Sequence, residues 1–239
     1  MKSTDIIIER INKIGEGKVF TYLDLSIPQE KQSAAAMALS RLVAEKKLKK
    51  VGKGKFYKTA YSRLGEMSPL LDELTKDLLY KDAKIIGYIT GLPIFAQMGL
   101  TTQISSKILI GSKSYRRPLL RGGYEISFTQ QNNEITEDNI PMLRFLDAVR
   151  FIKKIPACSP DNAIRIFLDK LDSFDKSEIK SLIHLSSTYS ASTRALLGAM
   201  LERKGYDATL LKMSLNPMTK YKIGISADIL PNKSNWDIL

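Results

Sequence analysis

The sequence predicts an α+β protein: an N-terminal winged helix-turn-helix followed by a larger mixed α+β domain, strands first and helices after. Three observations carry this. Residues 33–57, SAAAMALSRLVAEKKLKKVGKGKFY, join a helical period to a basic hairpin. Residues 1–60 hold 13 Lys or Arg against 6 Asp or Glu, a net +7 out of +12 for all 239 residues. Beyond residue 83, apolar segments with glycines give way to a series of amphipathic segments separated by prolines. The organisation read from these is a winged helix over 1–60, a linker or helical arm over 61–82, and an α+β domain over 83–239.

Taken in order, residues 3–14 read as a helix with an apolar stripe of Ile7, Ile8, Ile11 and Ile14, stopped by Gly15. Val19 to Thr21 reads as a short strand, and Thr21 as the cap of a short helix over Tyr22 to Leu25. Ser26-Ile27-Pro28 makes a turn. The helix that follows has Ser33 at its N-cap position and Ala35, Leu39, Leu42 and Val43 on its apolar face. Its other face carries Ser33, Met37, Ser40, Arg41 and Ala44, small and mostly polar, so another surface can approach it closely. Leu48 to Val51 and Lys55 to Tyr57 read as a hairpin around Gly52-Lys53-Gly54, where glycine suits a turn that needs positive φ. From Arg41 to Lys58 there are eight Lys or Arg and one acid, Glu45.

Downstream, leucines 70, 71, 74, 78 and 79 give the arm a helical spacing after Ser68-Pro69. Ile104 to Ile110 and Tyr124 to Thr129 alternate as strands do. Helices are expected over Met142 to Lys154, Asp161 to Leu171, Lys176 to His184 and Ser190 to Lys204, with a strand near Lys222 to Ile225.

Composition narrows the function classes. One cysteine, Cys158, excludes an intramolecular disulfide and a Cys-rich metal site. The N-terminus lacks the apolar core of a signal peptide, and no apolar run is long enough to span a bilayer, so a cytoplasmic protein without a membrane partner is expected. The only histidine, His184, has no ligand-spaced partner. Gly111-Ser112 is followed by Lys113 to Arg117 and not by the paired carboxylates that two-metal chemistry needs. Neither a P-loop nor a dinucleotide fingerprint is present. No enzyme, cofactor or metal is expected. Arg116, Arg117 and Arg121 form a second basic cluster; the residues leave open a solvated loop or a contact for nucleic acid or an acidic partner.

Two blocks carry a family resemblance. ITGLPIFAQMGLTTQ, Ile89 to Gln103, resembles the (S/T)GLSALNxLGLTTQ-type block of AbiEi-family antitoxins, which are transcriptional regulators of type IV toxin-antitoxin and abortive phage-infection systems. STRALLGAMLERKGYDATLLKMSLNPMTKYKIGI, Ser192 to Ile225, is similar to the RALLGALLE…LNPxTxYKLGI segment of the same group. ALSRLVAEKKLKKVGKGKFY, Ala38 to Tyr57, is similar to the end of its winged helix, although Lys53-Gly54-Lys55 stands where the family often has Arg-Gly. The resemblance implies an autorepressor bound to inverted repeats in its own operator, and an antitoxin role for residues 83–239. It also implies a nucleotidyltransferase-like toxin as a partner in function, whether or not the two bind stably.

The expected nucleic-acid contacts are Gln32, Ser33, Met37, Ser40 and Arg41 from the helix, Thr21 and Tyr22 at the preceding turn, and Lys53 and Lys55 from the wing. Gln suits adenine, Arg suits guanine, and Met packs on a thymine methyl; the wing lysines suit the backbone or minor groove. Operator half-sites call for a homodimer or for monomers that bind cooperatively. The competing reading is a protein-interaction module that neutralises a toxin by direct contact. An RNA-binding factor ranks behind both, because Phe20, Tyr22, Phe56 and Tyr57 do not form an RNP-like pattern.

Overall fold

The computed structural model describes residues 3–63 and 65–239. The fold is mixed α+β. The chain divides into two compact units, residues 1–80 with 119–125, and residues 81–118 with 126–239.

The first unit begins with α1 (Ser3–Lys13), whose Ile7 and Ile11 are buried. Arg10 and Lys13 in its last turn complement the negative end of the helix dipole. β1 (Val19–Phe20) follows. Residues 22–26 make turns, not the expected helix, with Leu25 N and Ser26 N donating to Tyr22 O and Leu23 O. A 3-10 turn, Gln29–Lys31, then runs directly into α2 (Gln32–Ala44). Because that turn precedes it, Ser33 falls inside the helix. Lys31 holds the cap position without a side-chain cap bond.

β2 (Lys49–Gly52) and β3 (Lys55–Tyr57) form the hairpin, and β1 adds on the far side of β3 to give the order β1-β3-β2. Val19 faces Tyr57 and Phe20 faces Phe56 across one edge; Lys49 faces Tyr57 and Lys50 faces Phe56 across the other. Of the two turn glycines only Gly54 takes the left-handed conformation, at φ +68°. Side chains alternate along β3. Phe56 points into a core with Ile7, Ile11, Phe20, Leu25, Leu39, Leu42 and Leu48. Tyr57 points the other way, into a smaller cluster with Val51 and Leu74.

That second face is covered by α3 (Leu71–Leu79), which buries Leu74, Thr75 and Leu78. The stretch read as a linker contains a further hairpin, β4 (Ala60–Ser62) with β5 (Gly65–Met67). Residues 119–125 also belong here. They are β10 (Leu119–Arg121), a Gly122-Gly123 turn with both residues at positive φ, and the start of β11 (Tyr124–Gln130). A Cβ on Gly122 would lie 2.8 Å from a Leu74 methyl, so a side chain there would press on Leu74 as well as strain the turn.

A tight turn from β6 (Tyr80–Lys81) to β7 (Lys84–Ile85) leads into the second unit. There β8 (Gly87–Thr90) leads through α4 (Leu92–Gln97) to β9 (Lys107–Ser112), which lies between β8 and β11 in the sheet. Helices α5 (Ile140–Arg150), α6 (Pro160–Leu171), α7 (Lys176–Ser186), α8 (Ala191–Arg203) and α9 (Thr209–Met213) follow. α5 is the centre of the core: Phe145 meets Phe167 and Phe174 edge-to-face at 5.4 and 5.6 Å. Asp175 and Glu178 close a capping box on α7, and Ser190 caps α8. The tail forms no strand at 222–225. Tyr221 makes only an isolated bridge to Ile238, because the chain turns back through a 3-10 turn (Lys233–Trp236) that seats Trp236 on α8.

Gly198 in α8 makes that seat. A Cβ there would lie 2.1 Å from the Trp236 ring, whose Nε1 donates to Glu202 at 2.8 Å. Helix propensity favours Gly→Ala by about 1 kcal/mol, whereas overpacking costs about 1–3 kcal/mol. Since the overlap is with a buried ring fixed by that bond, overpacking should win. Gly198→Ala should lower the unfolding free energy in urea, and a gain in stability would show that Trp236 moves aside at no cost.

Candidate nucleic-acid interface

The polar face of α2 is built by its period. Ala35, Ala38, Leu39 and Leu42 are buried, which turns Ser33, Met37, Ser40 and Arg41 outward. Met37 is 75 % exposed. Gln32 is half-buried. Arg41 makes a 3.4 Å pair with Glu45, one turn on and open to solvent; such an exposed pair contributes little and yields readily. The face is thus smooth, with one long cation near its end.

Lys53 stands exposed at the tip of the hairpin. Lys31, at the start of α2, and Lys50, on β2, are also exposed, and neither they nor Lys53 form an ion pair among the described residues. The sequence did not single out either: Lys50 was only one member of the basic run from Arg41 to Lys58, and Lys31 lies outside that run. Thr21 and Tyr22 fit less simply. Thr21 donates from both N and Oγ1 to Asp24 Oδ2, at 2.7 and 2.8 Å, so its hydroxyl proton is engaged and a carboxylate lies beside it. Tyr22 is part-exposed.

Lys55, expected with Lys53 to contact the backbone or minor groove, already has an acidic partner. Strand alternation puts it on the side of Tyr57, where α3 lies, and its ammonium sits 3.1 Å from Asp77. Arg121 departs further from expectation. It is buried, and Nη1 donates to Asp77 Oδ1 and to Leu74 O, both at 2.6 Å. Burial opposes ionisation of Asp77, but the bonds from Arg121 and Lys55 outweigh it and hold the carboxyl below its usual range. Arg121 is therefore set apart from its supposed companions. Arg117 is exposed, and Arg116 lies over the Phe128 ring at 5.8 Å.

The second unit has one polar cluster in its core. Tyr88 and Tyr189 donate to the two oxygens of the buried Asp147 carboxylate at 2.8 and 3.0 Å. Gln131 Nε2 donates to both phenol oxygens at 2.9 Å, while Gln131 Oε1 accepts from Asn133. Every proton in this chain of bonds has a place with Asp147 ionised. Tyr88 will not act as a base, because burial and the nearby carboxylate push its phenol up; the same holds for Tyr189. Gly111 leaves room for the Tyr88 ring, which a Cβ would meet at 2.5 Å. Among the described residues no group of three or more His, Cys, Asp or Glu is placed to hold a metal ion, and no helix is long and apolar enough to cross a membrane. His184 is exposed on α7 and Cys158 half-buried before α6.

Burial pushes the Asp147 carboxyl up, and the bonds from Tyr88 and Tyr189 only partly oppose it. Its ionisation is thus harder in the folded protein than in the unfolded chain. That penalty is absent below the unfolded value of about 3.9 and grows as pH rises through the folded one. The stability of the protein relative to Asp147→Asn should therefore fall as pH rises above about 4 in urea unfolding. A difference independent of pH would mean that Asp147 titrates alike in both states.

No protein-family model matches the chain, and no curated protein matches it. Among solved structures, the crystal structure of the RV2827C protein from Mycobacterium tuberculosis is similar, with a TM-score of 0.46 and 15% identity, over 90% of this chain and 82% of that one. A likeness of that order carries neither a fold assignment nor a function.

Proposed function

We propose that the first unit is a winged helix-turn-helix that binds duplex DNA, and that the protein is an autorepressor and antitoxin of a type IV toxin-antitoxin system. The observation that carries the DNA-binding part is the outward face of α2, small and polar with Arg41 near its end, in one unit with the lysine-tipped β2–β3 hairpin. The order α1, β1, α2, β2, β3 with strand order β1-β3-β2 supports the winged arrangement. An α-helix fits the major groove, and a face of Ser, Met and Arg lets it approach base edges without a bulky barrier. Lys31, Lys50 and Lys53 supply the phosphate contacts that position it.

The autorepressor and antitoxin part rests on the resemblance of Ile89 to Gln103 and Ser192 to Ile225 to AbiEi-family segments. In this reading the operator is a pair of inverted repeats, taken by a homodimer or by cooperating monomers, and the toxin is nucleotidyltransferase-like. Binding by protein contact alone is the reading that remains if DNA is not bound.

The test is binding of the full chain to the DNA upstream of its own gene against unrelated duplex at fixed salt. A preference of about 10³-fold or more would support operator recognition. Arg41→Ala should cost about 1–3 kcal/mol and relax sequence preference. Lys53→Ala should weaken all sequences alike and reduce the salt slope by about one. Equal, steeply salt-dependent binding to both duplexes would reduce the positive charge to a non-specific footprint and exclude operator reading.

A further inference from the structure

We propose that Asp77 is a positioning residue that withholds Lys55 from nucleic acid, so that the wing meets phosphate through Lys53 and Lys50 and not through Lys55. This rests on the DNA-binding reading above and assigns which cations of that site are available.

The argument begins with direction. Lys55 and Tyr57 share one side of β3, and Tyr57 is packed with Leu74 of α3. Lys55 therefore leaves the strand toward α3, and its side chain is only 18 % exposed. α3 meets it with acids. Glu73 and Asp77 are four residues apart and so lie on one side of the helix. Glu73 accepts from Lys18 Nζ at 2.7 Å and from Val19 N at 3.2 Å. Asp77 accepts from Arg121 and pairs with Lys55. This sheet face is thus neutralised from within the unit, by carboxylates at β1 and β3 alike.

Asp77 has two cationic partners of unequal standing. Arg121 is buried and also bonded to Leu74 O, so losing the carboxylate would leave a buried charge unpaired, the costly way to break such a pair. Asp77 therefore stays with Arg121 whatever Lys55 does. A phosphate reaching for Lys55 would have to approach this fixed carboxylate and would be repelled by it. Lys53 has no such neighbour among the described residues. A segment remote in sequence, residues 119–125, thus anchors the acid that governs a wing lysine.

The test is the salt dependence of binding of the full chain to duplex DNA from its own upstream region. Unfolding of each free variant is followed alongside. Lys53→Gln should lower the steepness with which log K falls against log salt by about 0.9, one phosphate contact. Lys55→Gln should leave it unchanged. Asp77→Asn should raise it by about 0.9, and the rise should vanish in Asp77→Asn/Lys55→Gln. A steepness lowered by Lys55→Gln as much as by Lys53→Gln would overturn the proposal. So would a rise from Asp77→Asn that persists in the Lys55→Gln background, since that would be a general effect of removing an acid. If Asp77→Asn does not fold, Lys55→Gln alone still decides. DNA binding that depends on Arg41 and Lys53 but fails these outcomes would sink the role of Asp77 alone. Absence of DNA binding by the unaltered protein would sink both readings.

Discussion

Strand β3 can satisfy the first unit only because its side chains alternate. Phe56 enters the core beneath α1 and α2, while Lys55 and Tyr57 enter the layer under α3. With both faces covered, a slip of one residue would drive Lys55 into the apolar core and Phe56 into the acids of α3. Register is accordingly well specified, and the pairs of Phe56 with Phe20 and Lys50 hold it from both edges. The exposed face of α2 and the position of the hairpin tip both follow from this packing.

Charge is sorted by the same geometry. Cations on the α3 side are taken up by Glu73 and Asp77, and the most buried of them, Arg121, has the most complete set of partners. Cations on α2 and at the hairpin tip meet no such acids; Arg41 has only a solvent-exposed partner that contributes little. A net charge of +7 over residues 1–60 is therefore not spread evenly over the surface. Burial is handled differently in the second unit. Asp147 has no ion-pair partner among the described residues, and its oxygens are satisfied by phenol donors oriented by Gln131. Such a network tolerates no missing member, since a polar group left unpaired in the core costs about 1–3 kcal/mol.

Local pattern was enough for much of the architecture. The isoleucines of α1, the apolar face of α2, the Gly54 turn and the proline-separated helices of the second unit all lie near where period and turn chemistry place them. The departures have identifiable causes. A 3-10 turn ahead of α2 moved the cap from Ser33 to Lys31. The β4–β5 hairpin carries little alternation, since nearly all of its side chains face solvent. The segment after Lys222 looks like a strand, yet it is held by Trp236 packing and a single bridge.

By itself the sequence determined that the chain is α+β, that its basic charge is concentrated near the N-terminus, and that α2 has a small polar face, because these follow from composition and from periods within one element. Only the tertiary structure decided which cations are open. Lys53 and Lys55 are two residues apart in one basic run, and Arg121 sits in another; nothing local distinguishes them. Their fates depend on α3 and on the return of residues 119–125 to the first unit, contacts between segments far apart in sequence. Electrostatic partnership is a property of distance in space, and a sequence read one element at a time does not contain that distance.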